Sequence, residues 1–117
     1  MTRYLLLIHA DEDAWEELAP ELREPSYERY ASLAREMQER GHARGGDELT
    51  ASTTAKVVRV RDGERSVVDG PFIETKEQLG GYFAVECDLE TALDYAARIP
   101  GAEHGAVEVR EVAEGPS

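Results

Sequence analysis

Hydrophobic residues along the chain fall into short runs of contrasting period. Tyr4-Leu5-Leu6-Leu7-Ile8 is continuously apolar, as in a strand buried on both faces. Asp11 to Glu24 follows with seven acids, one base (Arg23), and Trp15 and Leu18 as its main apolar residues. This stretch reads as a loop holding one short helix that ends near Pro20, with Trp15 as a lid or dimer anchor. Tyr27, Tyr30, Leu33, Ala34 and Met37 then recur at helical spacing with charged residues between them, predicting an amphipathic helix. Pro25 suits its first turn and Gly41 its left-handed stop. His42 to Leu49 reads as a strand weakened by Gly45 and Gly46.

Lys56 to Arg61 alternates, with Val58 and Val60 on one face and Arg59 and Arg61 on the other. Asp62-Gly63 predicts a two-residue type I′ turn, which needs positive φ at both positions. Ser66 to Val68 returns, giving a half-exposed ribbon at a sheet edge. Tyr82 to Val85 is again apolar on both faces. Asp88 is placed to cap a second helix whose apolar stripe is Leu89, Ala92, Leu93 and Ala96. Pro100-Gly101 ends that helix, Val107 and Val109 alternate in a last strand, and Ala113 to Ser117 is a polar tail.

Setting the ribbon aside leaves βαββαβ, so the chain reads as one α+β domain over residues 1–117, ferredoxin-like with an inserted β-hairpin. Two helices cover only one face of a four-stranded sheet, yet two strands are apolar on both. The second face needs a cover, and a second copy of the sheet is the expected one. The expectation is a homodimer with sheets packed face to face, a dimeric α+β barrel.

Composition narrows the partners. The formal charge is -12, with 25 acidic against 13 basic side chains. Such a surface disfavours long contacts with nucleic-acid phosphates, since the basic cluster is only Arg59, Arg61 and Arg65, and disfavours docking on anionic membranes. The longest apolar run is too short to span a bilayer, and the acids behind it do not suit a signal peptide. Cys87 stands alone, which excludes an intrachain disulfide and a thiolate zinc site. A cytoplasmic protein without a cofactor is expected.

The densest polar chemistry lies between Val68 and Phe83. Asp69 either shapes the Gly70-Pro71 turn or stands at a pocket mouth as a binding group or general base. Phe72 is an apolar plug that can line a pocket. Glu74, Lys76 and Glu77 are either solvated loop charges or a constellation in which Lys76 holds an anion and a neighbouring glutamate fixes its geometry. Gly80-Gly81 fits a bulge, and Tyr82 offers a hydroxyl to a ligand or to the core. His9, ending the first strand, is the histidine best placed for proton transfer. His42 and His104 read as structural and solvated. No spacing supports a metal site, and neither a serine nor a cysteine triad is present.

Asp69-Gly70-Pro71-Phe72, followed by Glu74 and Lys76-Glu77-Gln78-Leu79-Gly80-Gly81, resembles the signature of the DGPF family within the YCII-related proteins. The likeness extends to Tyr4–Ile8, Val58–Gly63, Ala96–Pro100 and Gly105–Arg110. It implies a dimeric α+β barrel and an association with extracytoplasmic-function sigma factors. The wider group includes a dehydrochlorinase that uses a histidine early in the first long helix and an aspartate before a proline after the second. Here the helix offers Tyr27, Glu28 and Tyr30, and Ile99 precedes Pro100, so that mechanism does not transfer. The expected function is a small-molecule-binding or regulatory dimer. The alternative is a cofactor-independent, lyase-like or acid/base enzyme in which His9 and Asp69 move protons while Lys76 and Tyr82 orient a small polar or aromatic substrate.

Overall fold

The computed structural model describes residues 1–114; residues 115–117, the end of the expected polar tail, lie outside it. Its first strand, β1 (Arg3–Asp11), is followed by a short helix α1 (Glu12–Glu17) and a long helix α2 (Pro20–Glu39). Strand β2 (Ala43–Glu48) and a 3-10 turn (Ser52–Thr54) lead into the ribbon β3 (Lys56–Arg61) and β4 (Glu64–Asp69). Strand β5 (Glu77–Glu86), helix α3 (Leu89–Arg98), a second 3-10 turn (Pro100–Glu103) and β6 (Ala106–Glu111) complete the chain. The main sheet runs β2-β5-β1-β6 with every neighbour antiparallel, the split βαβ order of a ferredoxin-like α+β fold.

Register decides which side chains meet the helices. Leu6 lies between Phe83 and Val109, and Ile8 between Gly81 and Val107, so Tyr4, Leu6, Ile8 and Val85 point to one face. There they pack with Leu33 and Met37 of α2 and with Ala92, Tyr95 and Ala96 of α3 in one core. Leu5 and Leu7, with Ala84 and Tyr82 beside them, point to the other face, which no helix covers. Gly80 is the extra residue where the β1–β5 register shifts after Ile8, the bulge expected of the paired glycines.

Several boundaries differ from the sequence-based expectation. The long helix begins at Pro20, not Pro25: Pro20 takes the first-turn position, and Pro25 sits inside, depriving the Glu21 carbonyl of its helical partner. Gly41 stops it as expected (φ 76°), with the Gly41 and His42 amides returning to the Gln38 and Met37 carbonyls. On α3, Tyr95 takes the core position while Leu89 and Leu93 remain outside, because residues 92, 95, 96 and 99 share the inward face. Asp88 caps that helix through the Thr91 amide at 2.8 Å.

The ribbon turns at Asp62-Gly63 with φ of 53° and 77°, the type I′ geometry. It is not an edge of the main sheet but a two-stranded sheet of its own, paired only with itself. Val58, Val60, Val67 and Val68 are all exposed, so neither face of the ribbon is covered. The radius of gyration is 16.2 Å, against about 13.4 Å for a compact chain of this length. The ribbon is therefore an extension, not part of the core. Among the described residues no helix is long and apolar enough to cross a membrane.

Candidate functional site

A concavity lies on the helix side of the sheet, where α1 and the first turns of α2 stand over the ends of β1, β2 and β5. Its volume is about 790 Å³, within the range of small-molecule sites. The cause is a set of small side chains. Ala31 and Ala34 of α2 face a floor that includes Gly46 and Gly81, so helix and sheet are held apart without filling the space. Gly81 and Gly46 are required by strand spacing: a Cβ on either would stand 2.9 Å from a carbonyl oxygen of the neighbouring strand.

Aromatic rings form the walls. Trp15 of α1 meets Tyr27 of α2 edge to face at 5.4 Å, and Tyr30 stacks on Phe83 at 6.3 Å. The Tyr30 hydroxyl accepts the Gly101 amide at 3.2 Å, tying the helix to the turn after α3. Burial raises the Tyr30 hydroxyl above its ordinary pKa. Trp15 thus lines the cavity from α1.

Hydrogen bonds hold α1 in place. Asp11 caps α1 by accepting the Asp13 and Ala14 amides at 3.0 and 3.2 Å. Glu12 reaches the turn after β2, accepting the Ser52 amide at 2.7 Å and its hydroxyl at 2.6 Å. Glu48 accepts the Tyr27 hydroxyl at 3.3 Å. Arg23, on the first turns of α2, also lines the cavity; its Nε is buried and has no hydrogen-bond partner.

The residues singled out in sequence are not gathered into this cavity. His9 lies on the open sheet face, its Nε2 3.4 Å from Glu108 but without hydrogen-bond geometry. Asp69 neither caps the Gly70-Pro71 turn, whose peptide bond is cis, nor faces a cavity: it forms an ion pair with Lys56, its cross-strand neighbour on the ribbon. Phe72 is no plug. It is 69% exposed and lies against the Arg59 guanidinium, 5.4 Å from ring centre to Cζ.

Glu74 and Lys76 line a separate depression of about 240 Å³ with Asp11 and Asp13. Lys76, with its side chain 85% exposed, stands 3.9 Å from Asp11, an exposed pair worth ~0–1 kcal/mol. Glu77 opens β5, and its amide and carbonyl bond the Thr75 hydroxyl. Tyr82 contributes to the cavity lining, but strand alternation sends its ring to the open face. There its hydroxyl donates to Asp47 at 3.1 Å, a bond that raises its pKa. Cys87, just past β5, is buried, and burial raises its thiol.

Tertiary placement therefore shifts attention from the 68–83 connection to the acidic stretch 11–24 and the helix behind it. The signal available in sequence was weak. Trp15, Tyr27 and Tyr30 are aromatic, but the latter two lie at ordinary core spacing. Arg23 stands out only as the single base among seven acids.

A family model described as YCII-related domain matches residues 2–115. The chain is also 34% identical, over 113 residues, to an uncharacterized protein of Rhizobium meliloti (strain 1021), an alignment covering 94% of this chain and 91% of that one.

Proposed function

The chain belongs to the YCII-related domain family, and from that membership and the form of its cavity we propose a cytoplasmic homodimer that binds a small molecule between α1, α2 and the sheet. The carrying observation is the aromatic-walled space of about 790 Å³ under a short helix held by the Glu12–Ser52 bonds. The space opens to solvent on one side and is walled by aromatic side chains, the form of a ligand cleft. The α1 segment over the cavity lies outside the main core, held by the Glu12–Ser52 bonds and the Trp15–Tyr27 contact, as entry of a ligand requires.

Surface area supports the dimer. The chain exposes 8199 Å², whereas a compact monomer of 13.0 kDa exposes about 6,300 Å². The excess of about 1,900 Å² is of the order that each partner of a large homodimer buries. It is shared by the open sheet face, with Leu5, Leu7 and Ala84 at its centre, and by the ribbon. Turnover is the weaker reading, because Asp11, Glu12 and Glu48 at the cavity rim already hold donors and are poorly placed to serve as free bases. A regulatory role beside a sigma factor, which the DGPF resemblance suggests, would use the same cavity as a sensor.

A fragment screen by protein-observed NMR tests the binding role. The indole of Trp15, the chain's one tryptophan, reports directly on the cavity. Fragments that shift this resonance in the wild type are expected to lose binding in Ala34→Phe, which fills the space. Fragments bound equally well by that variant, or a screen that never moves the indole, would overturn the proposal.

A further inference from the structure

Six of the eleven arginines on this acidic chain pair with a carboxylate among the described residues. Arg29 pairs with Glu103, Arg98 with Glu36, and Arg3 and Arg44 with Glu86. Arg23, like Arg35, Arg59, Arg61 and Arg65, has no ion pair among the described residues, but it alone of these lines the cavity, beside Glu12 and Glu16. Its Nε is out of contact with solvent and unpaired. A buried donor left without an acceptor is costly, and the penalty is larger when the donor is charged.

The neighbouring carboxylates do not serve Arg23 because they are engaged elsewhere. Asp11 holds two amides of α1, Glu12 holds the Ser52 amide and hydroxyl, and Glu48 holds the Tyr27 hydroxyl. Glu16 is exposed, where solvent and salt screen it. The cavity thus joins an apolar, aromatic interior to one unanswered planar cation. Guanidinium takes carboxylates and similar oxyanions through paired N–H bonds, more strongly than neutral acceptors.

From this we infer that the cavity selects an organic anion: a flat apolar body between Trp15, Tyr27, Tyr30 and Phe83, with a carboxylate or equivalent oxyanion held by Arg23. The inference rests on the cavity being a binding site and adds the charge of the ligand and the residue that reads it. It also reverses the expectation from net charge, since an acidic surface as a whole favours cations. The local arrangement decides, because Asp11, Glu12 and Glu48 already accept hydrogen bonds while the Arg23 Nε, buried, has no acceptor.

Three probes of matched shape separate the two levels: 2-naphthoate, its neutral amide 2-naphthamide, and the cation 2-naphthylmethylamine. Titration calorimetry gives affinities, and the Trp15 indole resonance confirms the location. The carboxylate is expected to bind about ten- to a hundredfold more tightly than the amide, with the amine weakest. In Arg23→Met, which keeps the apolar stem, the carboxylate should lose its advantage over the amide; Arg23→Lys should recover part of the difference. An amide that matches the carboxylate in the wild type, a preferred amine, or an Arg23→Met variant that keeps the preference overturns the anion inference and leaves the cavity reading standing. If no probe at millimolar concentration moves the Trp15 resonance, the cavity reading fails and the anion inference falls with it.

Discussion

On the proposed sheet-to-sheet pairing, a carboxylate placed at the centre of the open sheet face should convert dimers into monomers. Leu7 is the position of choice: it lies between Tyr82 on β5 and Glu108 on β6, on the face that neither helix covers. Burying one leucine contributes ~1.5–3 kcal/mol, and the two-fold dimer loses two, or about 3–6 kcal/mol. Leu7→Glu also forces two carboxylates, each beside Glu108, into a contact where desolvation costs several kcal/mol per charge. A total of at least ~6 kcal/mol raises the dissociation constant by roughly four orders of magnitude.

Sedimentation equilibrium and light scattering across ~1–100 µM measure the change. The wild type should run at twice the 13.0 kDa chain mass, Leu7→Glu at the chain mass, and Leu7→Ala between them with a concentration-dependent average. Leu93→Glu provides the control, since Leu93 is already exposed on α3. Far-UV circular dichroism should match throughout, because Leu7 lies outside the core that holds each subunit together. A wild type at the chain mass at 100 µM, or a Leu7→Glu dimer with unchanged affinity, would refute the sheet-to-sheet reasoning.

Acid stability should depend on Glu36, which accepts Arg98 Nη1 and Nη2 at 2.8 and 2.5 Å and is held by that bond at a pKa of about 2. Its folded value lies below the unfolded one of about 4.3, so the stabilisation is fully present above that value and is lost as pH falls through about 2. Urea midpoints should therefore decline over this window in the wild type and decline less steeply in Glu36→Gln. Gly105→Ala should destabilise by about 3 kcal/mol in urea melts, because its Cβ would stand 2.1 Å from the His9 carbonyl oxygen and would lever β6 from β1. Gly80→Ala, with nothing within 4 Å, should leave the midpoint close to the wild type or raise it slightly. Tyr30→Phe keeps the stacking on Phe83 but removes the acceptor of the Gly101 amide, so a loss of about 1 kcal/mol is expected by the same measurement.

Periodicity alone determined much of this protein. The double-sided apolar runs at residues 4–8 and 82–85, the helical spacing from Tyr27 to Met37, Asp62-Gly63 and the Asp88 cap are local patterns. Each acts through backbone sterics or the period of its own element, and each appears in the fold where the pattern places it. Pro25 shows the limit of such reading: two prolines suited one helix start, and in the fold Pro20 takes the first-turn position while Pro25 lies inside the helix. The cavity was not legible, because it is a property of distance between elements. Small residues at 31, 34, 46 and 81 mean nothing singly; they leave a space only when β2, β5 and α2 are brought together. Polar density misled for a related reason. The charges of 68–83 are close in sequence but point to solvent or to the ribbon, whereas Arg23 has its Nε buried without an acceptor while Asp11, Glu12 and Glu48 beside the cavity bond other groups.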